Sequence, residues 1–517
     1  MGLVEVTRSC GRPEETASVP PATAAAGLQH ALPWRPGRPA SSTPFLGGRD
    51  GRPPVRRPVH DGGGVRPAAL ILTVLSLLVG SWAEAAWRPV DRWTVGGGEF
   101  FAVRLESPLA LAAGSGSAGE AAVLCSALRP GGREPFLVLA RLHSGGTVAA
   151  EVWTDEMGFL PDLLGLPSSG LAAAWMAVGA GGSASRLRAG VGKDGGPWSV
   201  ATLLEDVRVP RRPQMHVTQD GCLHLVLTTA AGGPGERLFG FRNCDGGGTW
   251  ESLAVPSQGG SFQRHVVWLD FADGGRPAWV EQDAEGSRIL VPEDGEEAPA
   301  TTVAAELPGR RVYRLAAAAR GSNGVLAWLI RSVRKVELYT SFSSDAAKTW
   351  SKPELMFEGS PWDFDYQVVA TTDDAVVIWR QAVGPRHRSR HTVERVVCSW
   401  QDAKMSEPVE LYRGAGNLRE LAAASSDGGD GWAAAFFETE GLMMKPVVIH
   451  GRDGVIWSAG VEDGTPQGSG LVLQPWGEDI LVGWRAAQPA AHPTQTATQG
   501  RIQVVRLSGA TPEPTER

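Results

Sequence analysis

Three features of the sequence predict an all-β chain folded as a single β-propeller. Tryptophan-bearing apolar segments recur at a period near 51 residues. Within each repeat, four short runs of strand-forming residues are separated by Gly, Asp and Pro turns, which is typical of an antiparallel meander. The 517 residues also include 66 glycines and 37 prolines, which suits short strands and turns better than long helices. We therefore expect four-stranded antiparallel blades, with eight blades favoured and seven as the alternative.

The repeat is marked by six tryptophans that occupy matching places in similar apolar runs. Their separations are 104, 49, 51, 53 and 52 residues, and the first is about two periods long. Leu227 fills the register inside that long gap, and Leu124 fills one before it, which gives eight units. The tryptophans are Trp175, Trp279, Trp328, Trp379, Trp432 and Trp484.

Stacking of the units is required because a four-stranded meander cannot bury both of its faces alone. Radial stacking into a propeller buries them and protects the strand edges, whereas the alternative, a linear β-solenoid, usually has shorter repeats. The last unit lacks a clear fourth strand after Arg506, while the strand-like residues 99–105 precede the first full unit. We expect an N-terminal strand to pair with the last unit and close the ring.

The chain before the repeats has a different composition. Residues 1–66 are rich in Pro, Gly, Ala and Arg, and we interpret them as a disordered leader or as sequence upstream of the true translation start. Residues 67–86 contain an apolar run followed by Ala83-Glu84-Ala85, which is typical of a secretory signal peptide and too short for a membrane anchor. The propeller then covers residues 87–510, and residues 511–517 form a disordered tail.

Charge and motif content exclude several classes of function. The chain has 49 Lys and Arg against 56 Asp and Glu, a net charge of −7, so a generally basic nucleic-acid-binding surface is not indicated. The glycine-rich stretches lie in turns without a following helix, so they are not phosphate-binding loops. No Cys or His spacing is typical of a metal site. We expect an exported monomer with no cofactor, no metal, no nucleic-acid partner and no membrane span in its mature form, located in the periplasm, on the cell surface or outside the cell.

Two cysteines fall in a predicted hairpin. If Cys222 begins one strand and Cys244 ends the next, a turn near residue 232 places them nearly opposite each other. A cross-strand disulfide would suit an exported protein. Two unbridged thiols in neighbouring strands remain the alternative.

The predicted turn between the third and fourth strands carries the most specific motif. The sequences NCDGGGTW from Asn243 and SSDAAKTW from Ser343 resemble the Asp box, S-x-D-x-G-x-T-W, of the bacterial neuraminidase repeat. The resemblance identifies the chain with the sialidase-like Asp-box propellers over about residues 95 to 508, and it departs from the motif at Asn243 and Ala347. In that motif the Asp accepts backbone hydrogen bonds and the Trp packs between sheets. The matching residues, including two shorter copies, are Asp194, Asp245, Trp250, Asp345, Trp350 and Asp453.

Arginines gather where a propeller would place the mouth of its central funnel. Arg212, Arg264 and Arg311 are separated by 52 and 47 residues, so they should lie at similar heights in adjacent blades. Guanidinium groups suit carboxylates and phosphates, so these residues predict recognition of an acidic ligand. Arginine-rich loops that only solvate the surface are the alternative. The complete predicted set is Arg212, Arg264, Arg311, Arg419, Arg386 and Arg388.

The resemblance also implies a set of catalytic groups. Sialidases use arginines on the substrate carboxylate, an Asp as acid/base and a Tyr nucleophile. In this sequence Tyr366 would be the nucleophile, with Tyr313 second, and Asp363 or Asp365 the acid/base. The early Arg-Ile-Pro motif of that family is absent, and eight repeats exceed the six blades of sialidases.

Two functions therefore stand as hypotheses. The first is an exported binding or scaffold propeller whose arginine-rich axial funnel recognises an acidic glycan or a protein carboxylate. The second is a divergent glycoside hydrolase of the exo-sialidase type.

Overall fold

The computed structural model describes the blades and most of their connections, and all described residues lie within the compact unit Gly80–Arg517. The predicted leader, signal peptide and tail fall outside the described residues. In the described part we find no helix, and hence none long and apolar enough to span a membrane. The described ranges are 88–96, 102–104, 109–113, 121–128, 134–154, 157–166, 170–178, 185–192, 196–208, 211–218, 221–230, 237–253, 262–292, 301–360, 362–384, 390–425, 431–441, 443–451, 454–458, 468–487 and 499–509.

The protein is a β-propeller of eight four-stranded antiparallel blades, as the sequence predicts. Its 33 strands are numbered in chain order, and in each blade the first strand is the innermost. Before blade 1 lie β1 (Arg88–Val95) and β2 (Ala102–Arg104). Blade 1 contains β3 (Ala110–Ala113), β4 (Ala121–Leu128), β5 (Pro135–His143) and β6 (Thr147–Thr154). Blade 2 contains β7 (Gly158–Gly165), β8 (Leu171–Val178), β9 (Ser185–Gly192) and β10 (Trp198–Val207).

The next three blades repeat this order. Blade 3 contains β11 (Gln214–Val217), β12 (Leu223–Thr229), β13 (Arg237–Asn243) and β14 (Glu251–Leu253). Blade 4 contains β15 (Phe262–Phe271), β16 (Gly274–Gln282), β17 (Gly286–Pro292) and β18 (Thr301–Pro308). Blade 5 contains β19 (Val312–Arg320), β20 (Asn323–Arg331), β21 (Val336–Ser343) and β22 (Glu354–Gly359).

The last three blades complete the ring. Blade 6 contains β23 (Asp365–Ala370), β24 (Asp374–Val383), β25 (Arg390–Ser399) and β26 (Val409–Gly414). Blade 7 contains β27 (Leu418–Ser425), β28 (Trp432–Glu440), β29 (Met443–His450) and β30 (Gly454–Ser458). Blade 8 takes β31 (Gly468–Trp476), β32 (Asp479–Ala487) and β33 (Gln499–Ser508) from the end of the chain.

Closure of the ring uses an N-terminal strand, but not the one expected. The fourth strand of blade 8 is β1, whose Trp93 lies opposite Val504 in an antiparallel ladder. The expected closing segment, residues 99–105, contributes only the short β2, which bridges β33 and β4. The alternating buried and exposed residues of β1 explain the difference, since Trp93 and Val95 enter the core between blades 8 and 1.

Apolar packing between blades forms the core. Eight clusters of buried residues occupy the eight blade interfaces, and each draws on the facing sides of two neighbouring blades. The interface between blades 3 and 4 has the smallest apolar cluster and adds a buried bond from the Leu238 amide to Gln263. The stacking of equal units therefore holds the ring together, as the repeat predicts.

The repeating tryptophans all lie on the second strand of their blades and are buried. Leu124 and Leu227 hold the same strand in blades 1 and 3, as the register predicts. Trp432 differs from the others, because it begins β28 while the other five lie fifth or sixth along their strands. The buried Phe437 occupies the corresponding place in blade 7.

Candidate functional site

A cavity of about 550 Å³ lies on the propeller axis and is lined by inner strands of blades 2 to 6. We call it the axial pocket. The inner strands begin at one face of the ring, which we call the mouth face. The residues lining the pocket are Asp162, Gln214, Met215, His216, His265, Val266, Val267, Trp268, Arg314, Leu315, Ala316, Ala317, Gln367 and Val368.

Asp162 joins the inner strands of blades 2 and 3 at this pocket. One carboxylate oxygen accepts a 2.9 Å hydrogen bond from Nη2 of Arg212, and the other accepts a 2.9 Å bond from the Met215 amide. The same device recurs where Glu420 of blade 7 accepts a bond from the Leu471 amide of blade 8. Both carboxylates link neighbouring inner strands, and Asp162 also lines the pocket.

Arg314 provides the cationic group on the opposite wall. Its guanidinium forms an ion pair with Asp365 of blade 6 and stacks over the Tyr366 ring, 5.1 Å from the ring centroid. An arginine has five N–H donors, and only the bond to Asp365 uses one of them among the described residues. The remaining donors are available to a ligand.

An imidazole and an indole form the wall between blades 3 and 4. His216 Nε2 lies 3.2 Å from an oxygen of Asp270, and the imidazole stacks on Trp268 with 5.3 Å between ring centroids. On the far side, the Gln367 amide donates a 2.8 Å bond to the Leu421 carbonyl of blade 7. His216 and Gln367 are thus each oriented by a partner from another blade.

Backbone irregularities accompany the mouth ends of the inner strands. His265, which lines the pocket, has φ 53° and lies within the register shift between Arg264 and Val267. Leu160 and Glu420 have φ 52° and 50° in equivalent register shifts of β7 and β27. Bulges that turn side chains out of the regular pleat are common beside functional sites.

The four predicted arginines that the structure describes lie in the expected blades but do not meet in one funnel. Arg212 contacts the pocket only through Asp162. Arg264 lies over the Phe262 ring, 5.5 Å from its centroid, and does not line the pocket. Arg311 and Arg419 are exposed near the starts of β19 and β27. Arg386 and Arg388 fall outside the described residues.

The predicted catalytic tyrosine cannot act as a nucleophile in this structure. The Tyr366 side chain is 0% exposed, and its hydroxyl donates to the Arg314 carbonyl at 3.0 Å and contacts the Ala327 carbonyl at 3.1 Å. Burial raises the pKa of Tyr366 far above its usual value, and the neighbouring Arg314 charge offsets this only in part. Tyr366 has a structural role, because its bonds to the Arg314 and Ala327 carbonyls hold it in the core between blades 5 and 6.

The two predicted acid/base carboxylates are engaged separately. Asp365 pairs with Arg314 beside the pocket. Asp363 does not line the pocket and accepts a 2.7 Å bond from the buried Arg380, with the His391 ring at 3.5 Å. Burial lowers the pKa of His391, with Asp363 opposing that shift and Arg380 adding to it. The two carboxylates therefore do not form an acid/base pair on one ligand.

The turns with the box-like sequence lie at the face opposite the mouth. Asp345 accepts hydrogen bonds from the Thr349 amide at 2.9 Å and from the Thr349 hydroxyl at 2.6 Å. The Ala346 amide donates to the carbonyl of Ser322, in the turn between β19 and β20. Burial opposes ionisation of Asp345, but the bonds from Thr349 and Ser343 outweigh it and lower its pKa. Trp350 packs against the core between blades 4 and 5.

The turn in blade 3 is similar. Asp245 accepts a 2.8 Å bond from the Gly247 amide, which is the main cause of its lowered pKa. Asn243, which stands in place of serine, donates to the Gly247 and Thr249 carbonyls at 2.9 and 2.8 Å. Trp250 packs between blades 2 and 3. Asp194 and Asp453 lie outside the described residues.

Alanine does adopt a positive φ in the second of these turns. The φ angles of Ala346 and Ala347 are 54° and 67°. Both residues are buried in the core between blades 4 and 5, so packing holds them in a backbone conformation that the sequence alone disfavours.

The hairpin cysteines are bonded. Cys222 and Cys244 flank the facing pair Leu223 and Asn243, with 4.2 Å between their Cα atoms, and form a disulfide, which is one of the two alternatives that the sequence left open. Cys125 and Cys398 are buried and free, and burial raises the pKa of each thiol to about 12.

Several pocket residues were not singled out by the sequence. They are near the predicted arginines in the sequence but belong to no recognisable motif. These residues are Arg314, His216, His265 and Trp268. The repeat itself holds a signal, since Arg314 precedes its partner Asp365 by 51 residues, about one blade. Among the described residues, no group of three or more His, Cys, Asp or Glu side chains could hold a metal ion.

Comparisons with known proteins support no family. No family model matches the chain, and no curated protein matches it. Among solved structures, the chain is similar to a GH93 alpha-L-arabinofuranosidase of Fusarium graminearum with a TM-score of 0.38 and 11% identity, covering 68% of this chain and 92% of that one. A PL25 ulvan lyase gives a TM-score of 0.45 and 10% identity over 72% and 98% of the two chains. A Trypanosoma rangeli sialidase gives 0.34 and 12% over 59% and 55%. Likenesses this distant say nothing of what this propeller binds.

Proposed function

We propose that this protein is a recognition propeller that binds one sugar residue of an acidic glycan in the axial pocket, without chemical conversion. One observation carries the proposal. Asp162, His216, Arg314 and Gln367 come from four different blades, face one cavity, and are each held by a partner across a blade boundary. Preorganised polar groups in a concave site are typical of ligand recognition.

The charges of the pocket favour a hydroxyl-rich ligand inside it. Arg314 is balanced by Asp365, and Asp162 by Arg212, so the charges near the wall compensate in pairs. What remains is a mixture of hydrogen-bond donors and acceptors beside the apolar surfaces of Val267, Ala317 and Trp268. A sugar ring presents the same combination, with hydroxyl groups at its edge and C–H groups on its faces.

Hydrolysis of the sialidase type gains no support from this geometry. The residues lining the pocket include one carboxylate, Asp162, and no tyrosine. Asp162 has bonds to both of its oxygens, and Tyr366 is enclosed in the core. Catalysis by paired carboxylates or by a tyrosine nucleophile would need groups that these positions do not offer.

Two further parts of the proposal concern lineage and compartment. The bonds that Asp245 and Asp345 accept in their turns support the interpretation of those turns as Asp boxes, which would place this propeller among the Asp-box members. The Cys222–Cys244 disulfide supports export, because disulfides persist in oxidising compartments.

The proposal is tested by saturation-transfer NMR with glucose, galacturonic acid and N-acetylneuraminic acid. We expect transfer to the ring protons of at least one sugar, reduced by Gln214→Ala and by Arg314→Lys. Gln214 lines the pocket and its side chain makes no hydrogen bond to a described residue, so its loss should not disturb the fold. Arg320→Lys, at the other end of the same strand as Arg314, is the matched control.

Two results would overturn the proposal. One is the absence of transfer to all three sugars. The other is turnover of a fluorogenic sialoside that Tyr366→Phe abolishes while stability is unchanged, because that would restore the enzymatic alternative.

A further inference from the structure

Exposed aromatic side chains are concentrated at the mouth face beside the axial pocket. Phe262, Tyr313 and Trp362 are 43%, 56% and 49% exposed, and they are the only exposed aromatics among the described residues. They are separated by 51 and 49 residues, so they hold nearly the same position in blades 4, 5 and 6. Phe262 begins β15, Tyr313 is the second residue of β19, and Trp362 lies three residues before β23. We call these three residues the aromatic rim.

The aromatic rim adjoins the pocket directly. Tyr313 precedes the lining residue Arg314, and Phe262 lies three residues before the lining residue His265. The inner strands β15, β19 and β23 contact one another in sequence round the axis. The rim therefore continues the pocket outward over three adjacent blades.

Arginines without carboxylate partners lie on the same rim. Arg311, Arg331 and Arg334 of blade 5 are exposed and form no ion pair with a described residue. Arg331 lies over the Tyr313 ring, 5.3 Å from its centroid. Other cations of blade 5 pair with carboxylates instead.

Those nearby cations show the contrast. Lys335 pairs with Glu337 at 2.9 Å and with Glu358 at 2.8 Å, and Arg310 lies 3.7 Å from Glu337. Blade 5 thus balances two of its cations and leaves three arginines at the mouth face open to an external anion. We call Arg311, Arg331 and Arg334 the rim arginines.

We propose that the aromatic rim and the rim arginines bind a strand of an acidic polysaccharide that runs over blades 4 to 6 and places one sugar residue in the axial pocket. This inference rests on the proposed function and names its ligand class. Flat aromatic faces contact the C–H faces of sugar rings, while guanidinium groups bind carboxylate or sulfate groups along the strand. The acid is thus recognised outside the pocket, where arginines are unpaired.

A polysaccharide fits these residues better than a nucleic acid or an acidic peptide. A nucleic acid carries one phosphate per nucleotide and needs an extended basic surface, whereas the three rim arginines lie in one blade of a chain with net charge −7. An acidic peptide would use the arginines but would leave a periodic row of flat aromatic surfaces without a matching partner.

The test measures binding of the full chain by calorimetry to polygalacturonate, alginate and chondroitin sulfate. Fully methyl-esterified polygalacturonate, oligo-dT and poly-glutamate serve as comparison ligands. We expect at least one acidic polysaccharide to bind, with an affinity that falls as salt rises. For polygalacturonate, esterification should weaken binding about tenfold or more, since it removes charge and keeps the backbone.

Variants then locate the surface. Tyr313→Ala with Trp362→Ala, and separately Arg331→Gln with Arg334→Gln, should each weaken polysaccharide binding about tenfold or more. These side chains are exposed, so the variants should remain folded, and circular dichroism checks this. Arg320→Gln, at the opposite end of blade 5, should leave binding unchanged.

The outcomes separate this inference from the proposed function. Loss of monosaccharide transfer in Gln214→Ala with retained polysaccharide affinity identifies the rim as a separate contributor and supports the inference. The inference is overturned if none of the three acidic polysaccharides binds, if the rim variants bind like the parent, or if oligo-dT or poly-glutamate binds more tightly through the same residues. Pocket binding of a monosaccharide could survive any of these results.

Discussion

The hydroxyl of Tyr366 lies 3.0 Å from the backbone carbonyl oxygen of Arg314, in the neighbouring blade. The bond joins blade 6 to the backbone of Arg314 in blade 5, whose side chain is the cationic group of the pocket. It assigns Tyr366 to the framework of the site, because a side chain that is fully enclosed cannot reach a ligand.

Tyr366→Phe should therefore reduce stability and leave ligand binding unchanged. Removing the hydroxyl takes away the donor that bridges the Arg314 and Ala327 carbonyls, at a cost of about 1–2 kcal/mol in the free energy of unfolding. Chemical denaturation measures this, with Tyr339→Phe as the control. The Tyr339 hydroxyl meets the exposed Arg310, so the control should lose less. Equal losses in the two variants would contradict the account.

Asp162 should contribute to stability through the Met215 amide. Asp162→Ala removes the acceptor for this partly buried N–H and leaves Arg212 unpaired, and we expect a loss of about 1–3 kcal/mol. Asp162→Asn keeps an oxygen that can accept from Met215 and should lose less. If both variants unfold at the parent's denaturant midpoint, the link between blades 2 and 3 is not formed as described.

Gly246 tests the backbone of the turn in blade 3. Its φ is 61°, and a Cβ there would meet no atom within 4 Å, so Gly246→Ala isolates the cost of the left-handed conformation. We expect a destabilisation of roughly 1–2 kcal/mol. Gly247→Ala is the control, because Gly247 has no positive φ and its added Cβ would lie 3.4 Å from the Asp245 carboxylate. Thermal unfolding of both variants checks the difference.

His391 should make stability depend on pH. Burial lowers its pKa below 6.5 in the folded protein, so the unfolded chain takes up a proton first as the pH falls. Stability should decrease as the pH is lowered from 6.5 toward the depressed folded pKa, and should be unaffected by this group above that window. His391→Gln should flatten the curve of unfolding free energy against pH there. An unchanged slope would count against a buried neutral imidazole beside Asp363 and Arg380.

The disulfide should stabilise blade 3. It closes a segment of sequence separation 22, and removal of such a crosslink typically costs about 2–4 kcal/mol. The double variant Cys222→Ser/Cys244→Ser should unfold at a lower temperature than the parent, and reductant should lower the parent's Tm without affecting the variant. Equal sensitivity of both proteins to reductant would show that this pair is not the one involved.

The sequence predicts the ring well because the ring is a periodic object. Trp328 and Trp379 recur in register because each fills the same place between stacked blades, and spacing alone carries that information. The sequence correctly predicts that an N-terminal strand closes the ring, but it indicates the wrong segment, residues 99–105 instead of β1. The choice between residues 88–95 and 99–105 depends on which side chains fit the core, as Trp93 does.

The pocket was harder to predict because side-chain direction depends on local irregularities. Arg311 matches the period of Arg264, yet the register shift between Val312 and Arg314 brings Arg314 to the pocket wall instead. Tyr366 stands at a plausible position in the chain, but its burial follows from packing across a blade boundary. Oppositely charged residues one repeat apart, such as Arg314 and Asp365, should face each other across a blade boundary. The repeat could have indicated this part of the site.

Hydrogen exchange in the presence of whichever of the three acidic polysaccharides binds most tightly tests the account most directly, since it locates the ligand without a substitution. The account predicts slower exchange at the mouth-face starts of the inner strands in blades 4 to 6, around residues 262–268, 312–317 and 362–368, with blades 7, 8 and 1 unchanged. Protection confined to the opposite face, around the turns at Asp245 and Asp345, or no protection at any ligand concentration, would contradict it.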